Sequence, residues 1–145
     1  MMVAADIATF ALGINYIAVI AAAVGCFVLG AVWYSPLAFG KAWSALRGLD
    51  GDATAAARPS PPMLVAEFVR GLVVAYVLAR LIVLLGINDL VGAIVLGISI
   101  WLGLQATSIV GSVLHEQYPP KLFAIHSGDA LVKTMFAAVL LGLWR

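Results

Sequence analysis

The segment KLFAIHSGDALVKTMFAAVLLGLWR, residues 121–145, combines a long apolar run with three ionisable side chains, His126, Asp129 and Lys133. A charge at the centre of a bilayer costs about 2.5–3.5 kcal/mol on insertion scales, so these groups need partners or access to water. Because they are spaced i, i+3 and i+7, they fall within an arc of about 60° on one helical face. The segment therefore predicts a membrane helix with one polar stripe.

The composition is that of a membrane protein. The chain has 145 residues, 64% of them apolar and only 10% charged, whereas a soluble domain carries about 25% charged residues. The basic residues are scattered singly, so membrane lipids are the expected partners and nucleic acid is not. Cys26 is the only cysteine, which excludes an intrachain disulfide and a metal site built from paired thiolates. The sequence identifies no cofactor and no metal site.

Four apolar segments are long enough to cross about 30 Å of hydrocarbon, which takes about 20 helical residues. They cover residues 14–34, 63–85, 90–114 and 122–144. The runs are continuous and more than twice as long as the roughly 10-residue alternating strands of a membrane barrel. The predicted fold class is therefore all-α: an integral membrane protein with four transmembrane helices in a single domain, residues 1–145. The first segment is expected to be a retained anchor, because no basic region precedes it.

The connection after the first span predicts a short interfacial helix. Phe39, Trp43 and Leu46 are spaced by four and three residues in PLAFGKAWSALRGL, residues 36–49, which is typical of an amphipathic helix in the headgroup region. An ordinary loop with aromatic side chains is the alternative, because Gly40 weakens a helix. The residues expected to anchor this region at the interface are Trp33, Tyr34, Phe39 and Trp43. Residues 50–62 predict a flexible linker.

The distribution of basic residues predicts the orientation. The first and third connections contain Lys41, Arg47, Arg58 and Lys121. The positive-inside rule assigns these connections to the cytoplasm and both termini to the opposite side. Arg80 lies about 9 Å from the far end of its span and is expected to snorkel to the interface.

The second span runs parallel to the fourth and offers partners for its charges. Counted along each helix, Glu67 lies about 6 Å deep and Arg70 about 10 Å deep, level with His126 and Asp129 respectively. We therefore expect Arg70 to pair with Asp129 and Glu67 to lie near His126. Lys133, about 16 Å deep, would be a second cation for Asp129. The two acidic and two basic residues then form a cluster without net charge.

The third span carries a polar stripe and a seam of small residues on nearly opposite faces. In the stripe are Gln105, Ser108 and Ser112, and we expect Gln105 to complete the hydrogen bonding of Asp129 and Lys133. The seam consists of Ser99, Gly103, Thr107 and Gly111. Such a seam lets two membrane helices approach closely, and it would receive either the first span or the same helix of another subunit. These two faces predict that the third span is the central helix.

Three hypotheses for the function remain. The favoured one is an oligomeric structural or accessory membrane subunit whose buried charged cluster fixes how its helices pair. Polar contacts between membrane helices average only about 0.6 kcal/mol, so such a cluster specifies the pairing of helices more than it stabilises the fold. The alternative is a small transporter or channel with a proton or ion route through the same cluster, in which His126 titrates near neutral pH. The third and least favoured hypothesis is an enzyme, because HEQYP, residues 115–119, has Pro119 where a zinc protease motif needs its second histidine.

Three stretches resemble a known family. GAVWYSPLAFGKAW (30–43), KLFAIHSGDALVK (121–133) and LLGLWR (140–145) are similar to a bacterial family of small integral membrane proteins labelled domain of unknown function 1761. Eight of the eleven positions from Trp33 to Trp43 match the string W-Y-S-P-x-x-F-G-K-x-W. The resemblance covers nearly the whole chain and implies a four-span protein of the bacterial inner membrane. It implies no established activity.

Overall fold

A computed structural model describes residues 13–49 and 58–144, and its regular secondary structure within these ranges is entirely helical. The described part contains five helices: α1 Tyr16–Trp33, α2 Gly40–Leu46, α3 Pro61–Leu84, α4 Leu90–Glu116 and α5 Pro120–Leu143. The prediction of an all-α fold is confirmed for these residues. Residues 1–12 and most of the predicted linker, residues 50–57, lie outside the described residues, whereas the first predicted span, residues 14–34, lies within them.

Three of the described helices are long and apolar enough to cross a membrane: α1, α4 and α5. These three helices indicate a membrane protein. Helix α3 is as long as α5, at 24 residues, but it is not one of the three and it carries Glu67, Arg70 and Arg80.

Local sequence signals explain where the helices begin. The side chain of Asn15 accepts a hydrogen bond from the backbone N–H of Ala18 (3.1 Å) at the start of α1. Asp89 does the same for Gly92 (2.8 Å) at the start of α4. Such caps satisfy N–H groups that have no partner within the helix. Helices α3 and α5 begin with proline, which lacks one of these N–H groups and is tolerated in the first turn.

Helix α5 is the centre of the bundle. It packs against α1, α3 and α4, and against the short helix α2. Glycines permit the close approach: a Cβ at Gly142 of α5 would lie 2.8 Å from the Cβ of Ala93 in α4, and one at Gly128 would lie 2.8 Å from the Trp33 ring. The prediction that the third span is central is therefore wrong. Helix α4 makes its main contacts with α5 and leaves much of its surface exposed.

The small-residue seam of α4 does not receive the first span. Ser99, Gly103 and Thr107 are exposed, and the two hydroxyls donate to carbonyls of their own helix. A Cβ at Gly103 or Gly111 would meet nothing within 4 Å. Helix α1 packs instead against α3 and α5, because a small-residue pattern identifies a face that permits close approach without identifying the partner. Contact with the same helix of another subunit stays a prediction.

Arg80 of α3 is also placed differently from the prediction. Only 4% of this residue is exposed, and its neighbours Leu78, Ala79 and Ile82 are buried with it. The expected snorkelling to the interface is therefore wrong, because Arg80 faces the interior of the bundle and not its surface.

The close packing of α5 predicts a large difference between two glycine substitutions. Gly142→Ala should destabilise the fold by about 1–3 kcal/mol, the usual cost of overpacking, because the new methyl would collide with Ala93. Gly111→Ala is the matched control, with open space around its Cβ. Thermal unfolding in detergent should show a lower midpoint for Gly142→Ala alone. Equal midpoints for the two variants would contradict the packing of α4 on α5.

Candidate functional site

Four ionisable side chains form one connected group between α3 and α5, called the charged cluster below: Glu67, Arg70, Asp129 and Lys133. The Lys133 Nζ lies 2.8 Å from Oδ2 of Asp129 and 3.3 Å from Oε1 of Glu67. The Glu67 carboxylate also accepts two hydrogen bonds from Arg70, from Nε at 2.9 Å and from a terminal nitrogen at 2.6 Å. Lys133 thus joins the two helices through their carboxylates.

The charged cluster extends from the core of the bundle to the outer face of α3. The side chains of Asp129 and Lys133 are 10% and 12% exposed, whereas those of Glu67 and Arg70 are 39% and 59% exposed. The two buried charges are bonded to each other, as burial of a charge requires. The four charges cancel, so the cluster carries no net charge into the bundle.

Helix α1 provides the space that Lys133 occupies. A Cβ at Gly30 would lie 2.6 Å from Nζ and 2.8 Å from Cε of Lys133. One turn earlier, the buried Cys26 thiol donates to the Lys133 backbone carbonyl at 3.4 Å. Small residues on α1 therefore allow a long cationic side chain to lie between three helices.

The pairing of charges differs from the predicted one. Arg70 bonds to Glu67 on its own helix instead of Asp129, and Lys133 makes the contact between helices. Residues at i and i+3 are neighbours on a helix surface, so Arg70 reaches Glu67 without leaving α3. Side chains on a helix lean toward its N-terminus, which brings the ammonium of Lys133 back to the level of Asp129 and Glu67.

His126 bonds to an aromatic residue and not to Glu67. Its Nδ1 lies 2.7 Å from the Tyr34 hydroxyl, and the two ring centroids are 5.9 Å apart. Tyr34 directly follows α1, where the sequence predicts an interfacial anchor. The structure adds this tyrosine to the polar residues around α5.

Residues 33–43 form a compact aromatic turn. The backbone N–H of Gly40 donates to the Ser35 carbonyl at 2.9 Å, and a Cβ at Gly40 would collide with the carbonyl oxygens of Tyr34 and Ser35. The Trp33 ring packs on Phe39 with centroids 4.5 Å apart, and Tyr34 meets Trp43 edge to face at 6.0 Å. Of the four predicted anchors, Phe39 is exposed and the others are half-buried. Their location at a membrane surface stays a prediction.

The aromatic turn packs directly on α5. The Trp33 indole N–H donates to the Ile125 carbonyl at 3.0 Å, and the same ring lies against Gly128. Together with the Tyr34–His126 bond, these contacts join residues 33–43 to residues 121–133. Two of the three stretches that carry the family resemblance are therefore in contact with each other.

Helix α4 contributes two polar contacts through its π-helical segment, Trp101–Ala106. The Trp101 indole donates to the Ser127 carbonyl at 2.8 Å, and Gln105 Oε1 accepts from the Thr134 hydroxyl at 2.8 Å. The expected bonding of Gln105 to Asp129 and Lys133 is replaced by this contact. Sequence reasoning missed Trp101, although an indole N–H in an apolar run requires an acceptor.

Ser108 does not take part in the charged cluster. It is exposed, and its hydroxyl donates to the Leu104 carbonyl of the same helix. Among the described residues, no three His, Cys, Asp or Glu side chains are grouped so that they could hold a metal ion. The contacts that the structure shows within the charged cluster are ion pairs and hydrogen bonds.

Comparison with known proteins identifies one family. The model of the family described as protein of unknown function (DUF1761) matches residues 17–142, which confirms the resemblance and includes both the aromatic turn and the charged cluster. No curated protein and no solved structure matches the chain.

The tight backbone of the aromatic turn predicts that Gly40→Ala is destabilising. The added methyl would collide with two backbone oxygens, which cannot rotate away as a flexible side chain can, and we expect a loss of about 1–3 kcal/mol. Ala42→Ser is the control, because Ala42 is exposed on the same short helix. Both are measured by thermal unfolding in detergent. If Gly40→Ala is tolerated as well as Ala42→Ser, the description of this turn is wrong.

Proposed function

The chain belongs to the DUF1761 family, proteins of unknown function, and we propose from its geometry that it is a structural or accessory subunit of a membrane assembly. In this role the charged cluster specifies how α3 and α5 pair, and the outer face of α3 binds a second copy of the chain. The proposal includes no catalytic step. One observation carries it: the cluster joins two helices at Lys133 but leaves the Arg70 guanidinium on the outside.

The proposal includes α3 as a fourth span. Its 24 residues extend about 36 Å, enough to cross the hydrocarbon. If α3 were isolated, its charged side chains would oppose its insertion into a bilayer. In the bundle, however, Glu67 is bonded to Lys133 and Arg70, and Arg80 is buried. The cost of inserting them is thereby reduced, since opposite charges enter the bilayer as bonded pairs. Helix α2 and the aromatic turn would then lie at one membrane surface.

Self-association is supported by the surroundings of Arg70. This residue lies nine positions after Pro61, about 14 Å along α3, and its exposed neighbours on the helix include Val69, Val73 and Val77. A guanidinium that faces lipid at this depth is unfavourable. In a two-fold dimer with its axis along the membrane normal, two α3 helices run parallel with their charges level. Each Arg70 would then approach the Glu67 carboxylate of the other copy.

A small transporter or channel is the second candidate. It is favoured by the continuity of the charged cluster from the partly exposed Glu67 to the buried Asp129. The bonds of Lys133 to both carboxylates favour the structural role more strongly, because a moving proton or ion would have to break them. We therefore place ion transport second.

We further propose a bacterial inner-membrane location with both termini outside the cytoplasm. The support is the positive-inside rule. The first and third connections, which this orientation assigns to the cytoplasm, contain the basic residues Lys41, Arg47, Arg58 and Lys121. The bacterial assignment rests on the family resemblance of the aromatic turn and of the start of α5.

Two substitutions in the charged cluster should have separable effects. Lys133→Met leaves the buried Asp129 without its cation, so we expect a loss of stability on the order of 3 kcal/mol in detergent unfolding. Arg70→Ala removes an exposed partner of Glu67 and keeps the Lys133 bridge, so stability should fall by about 1 kcal/mol or less. Native mass spectrometry should show the dimer mass for the unaltered chain and a monomer for Arg70→Ala.

Val95→Ala serves as the control, since Val95 is exposed on α4, away from the charged cluster, and should keep the dimer mass. A monomeric unaltered chain, or a dimer that survives Arg70→Ala, would refute assembly through α3. Proton or ion flux in liposomes that Lys133→Met and Asp129→Asn abolish would instead establish the transport hypothesis.

The four-span topology can be tested by cysteine labelling. Because Cys26 is the only cysteine, Cys26→Ala gives a background into which Arg58→Cys or Asn88→Cys is introduced, both at exposed positions. In intact cells a membrane-impermeant maleimide should label the cysteine at position 88 and label the one at position 58 only after lysis. Labelling of both positions from the same side would exclude α3 as a span, and the reverse pattern would invert the orientation.

A further inference from the structure

An apolar groove lies between the short helix α2 and the first turns of α5. Its volume is about 420 Å³, and it is lined by Ala42, Ala45, Leu46, Lys121, Ala124 and Ile125. The groove exists because three of the lining residues are alanines on two helices that meet there. Its volume lies within the range of small-molecule sites in proteins, about 300–1,000 Å³. It is separate from the charged cluster, which lies deeper along α5.

The lining of this groove is almost entirely apolar. Among the described residues that line it, only Lys121 carries a charge. Arg47 follows Leu46 directly and ends α2, and its guanidinium lies 5.8 Å from the centre of the Trp43 ring. Both cations are exposed. The groove therefore combines an apolar wall with the positive charge of Lys121, at the end of the bundle where α1 ends and α5 begins, while Arg47 is not one of its lining residues.

We propose that this groove binds one anionic phospholipid of the surrounding bilayer. An acyl chain would lie along Ala42, Ala45 and Ala124, and the phosphate would approach the ammonium of Lys121. A soluble anion would leave the apolar wall uncovered, and a zwitterionic lipid, whose headgroup has no net charge, would match the cation of Lys121 less well. The proposal needs the membrane location of the chain but not its self-association, so the two can fail separately.

Native mass spectrometry of the detergent-purified chain tests the site. The chain is titrated with phosphatidylglycerol and, separately, with phosphatidylcholine. We expect one phosphatidylglycerol to be retained in preference to phosphatidylcholine. Lys121→Gln should weaken retention about fivefold, the effect of one basic residue at an anionic surface. Arg58→Gln removes the same charge at an exposed position outside the groove and should leave retention unchanged.

Filling the groove is the second arm of the test. Ala124→Trp should abolish the retained phosphatidylglycerol, and Ala45→Phe repeats the test from the opposite wall in case the first variant does not fold. Equal binding of both lipids, equal loss in Lys121→Gln and Arg58→Gln, or retention by both filled variants would overturn the proposal. Loss of the dimer mass on filling would assign the groove to a protein partner. Arg70→Ala should bind the lipid normally, which separates this result from the test of assembly.

Discussion

The contact of one ammonium with two carboxylates determines how this bundle is put together. Lys133 is bonded to Asp129 on its own helix and to Glu67 on α3. Loss of one partner from such a buried set costs about 3–5 kcal/mol, although the intact set adds little over apolar packing. The contact thus acts as a constraint on register: if α3 slides against α5, a charge loses its partner. The small residues Gly30 and Cys26 on α1 leave the space in which Lys133 lies.

The aromatic turn and α4 constrain the same helix at a different level. Two indole N–H groups, from Trp33 and Trp101, donate to the carbonyls of Ile125 and Ser127 on α5. Both acceptor residues are buried, where an unpaired polar group is costly, so an indole that finds a carbonyl is not easily displaced. Helix α5 is therefore held by its backbone near its start and by Lys133 two turns later. This explains why it, and not the more apolar α4, is the centre of the bundle.

Much of this arrangement follows from length, hydropathy and helical period, and the rest depends on distances that a pattern does not contain. Counting residues along parallel helices brings Glu67 and Arg70 of α3 to the charged part of α5, but it sets Glu67 level with His126 and Arg70 level with Asp129. It did not predict which cation bridges the two helices, because that depends on the lean and length of the side chains. The burial of Arg80 was missed for a related reason: a position near a helix end indicates depth and not the direction of the bundle. Trp101 lies in a π-helical segment, where the 3.6-residue period fails.

The balance of charge explains why Arg70 stands where it does. Two carboxylates share the single ammonium of Lys133, so that group alone would carry a negative charge into the bundle. Arg70 cancels it, but from the outer face of α3, where its side chain is 59% exposed. The cluster is therefore neutral as a whole and still presents a cation and part of a carboxylate to its surroundings. In the dimer proposed above, a copy of α3 would cover this face and would bring the same two groups, a guanidinium and a carboxylate, into complementary positions. Arg70 thus neutralises the core from the surface, and in the proposed dimer it would also direct assembly.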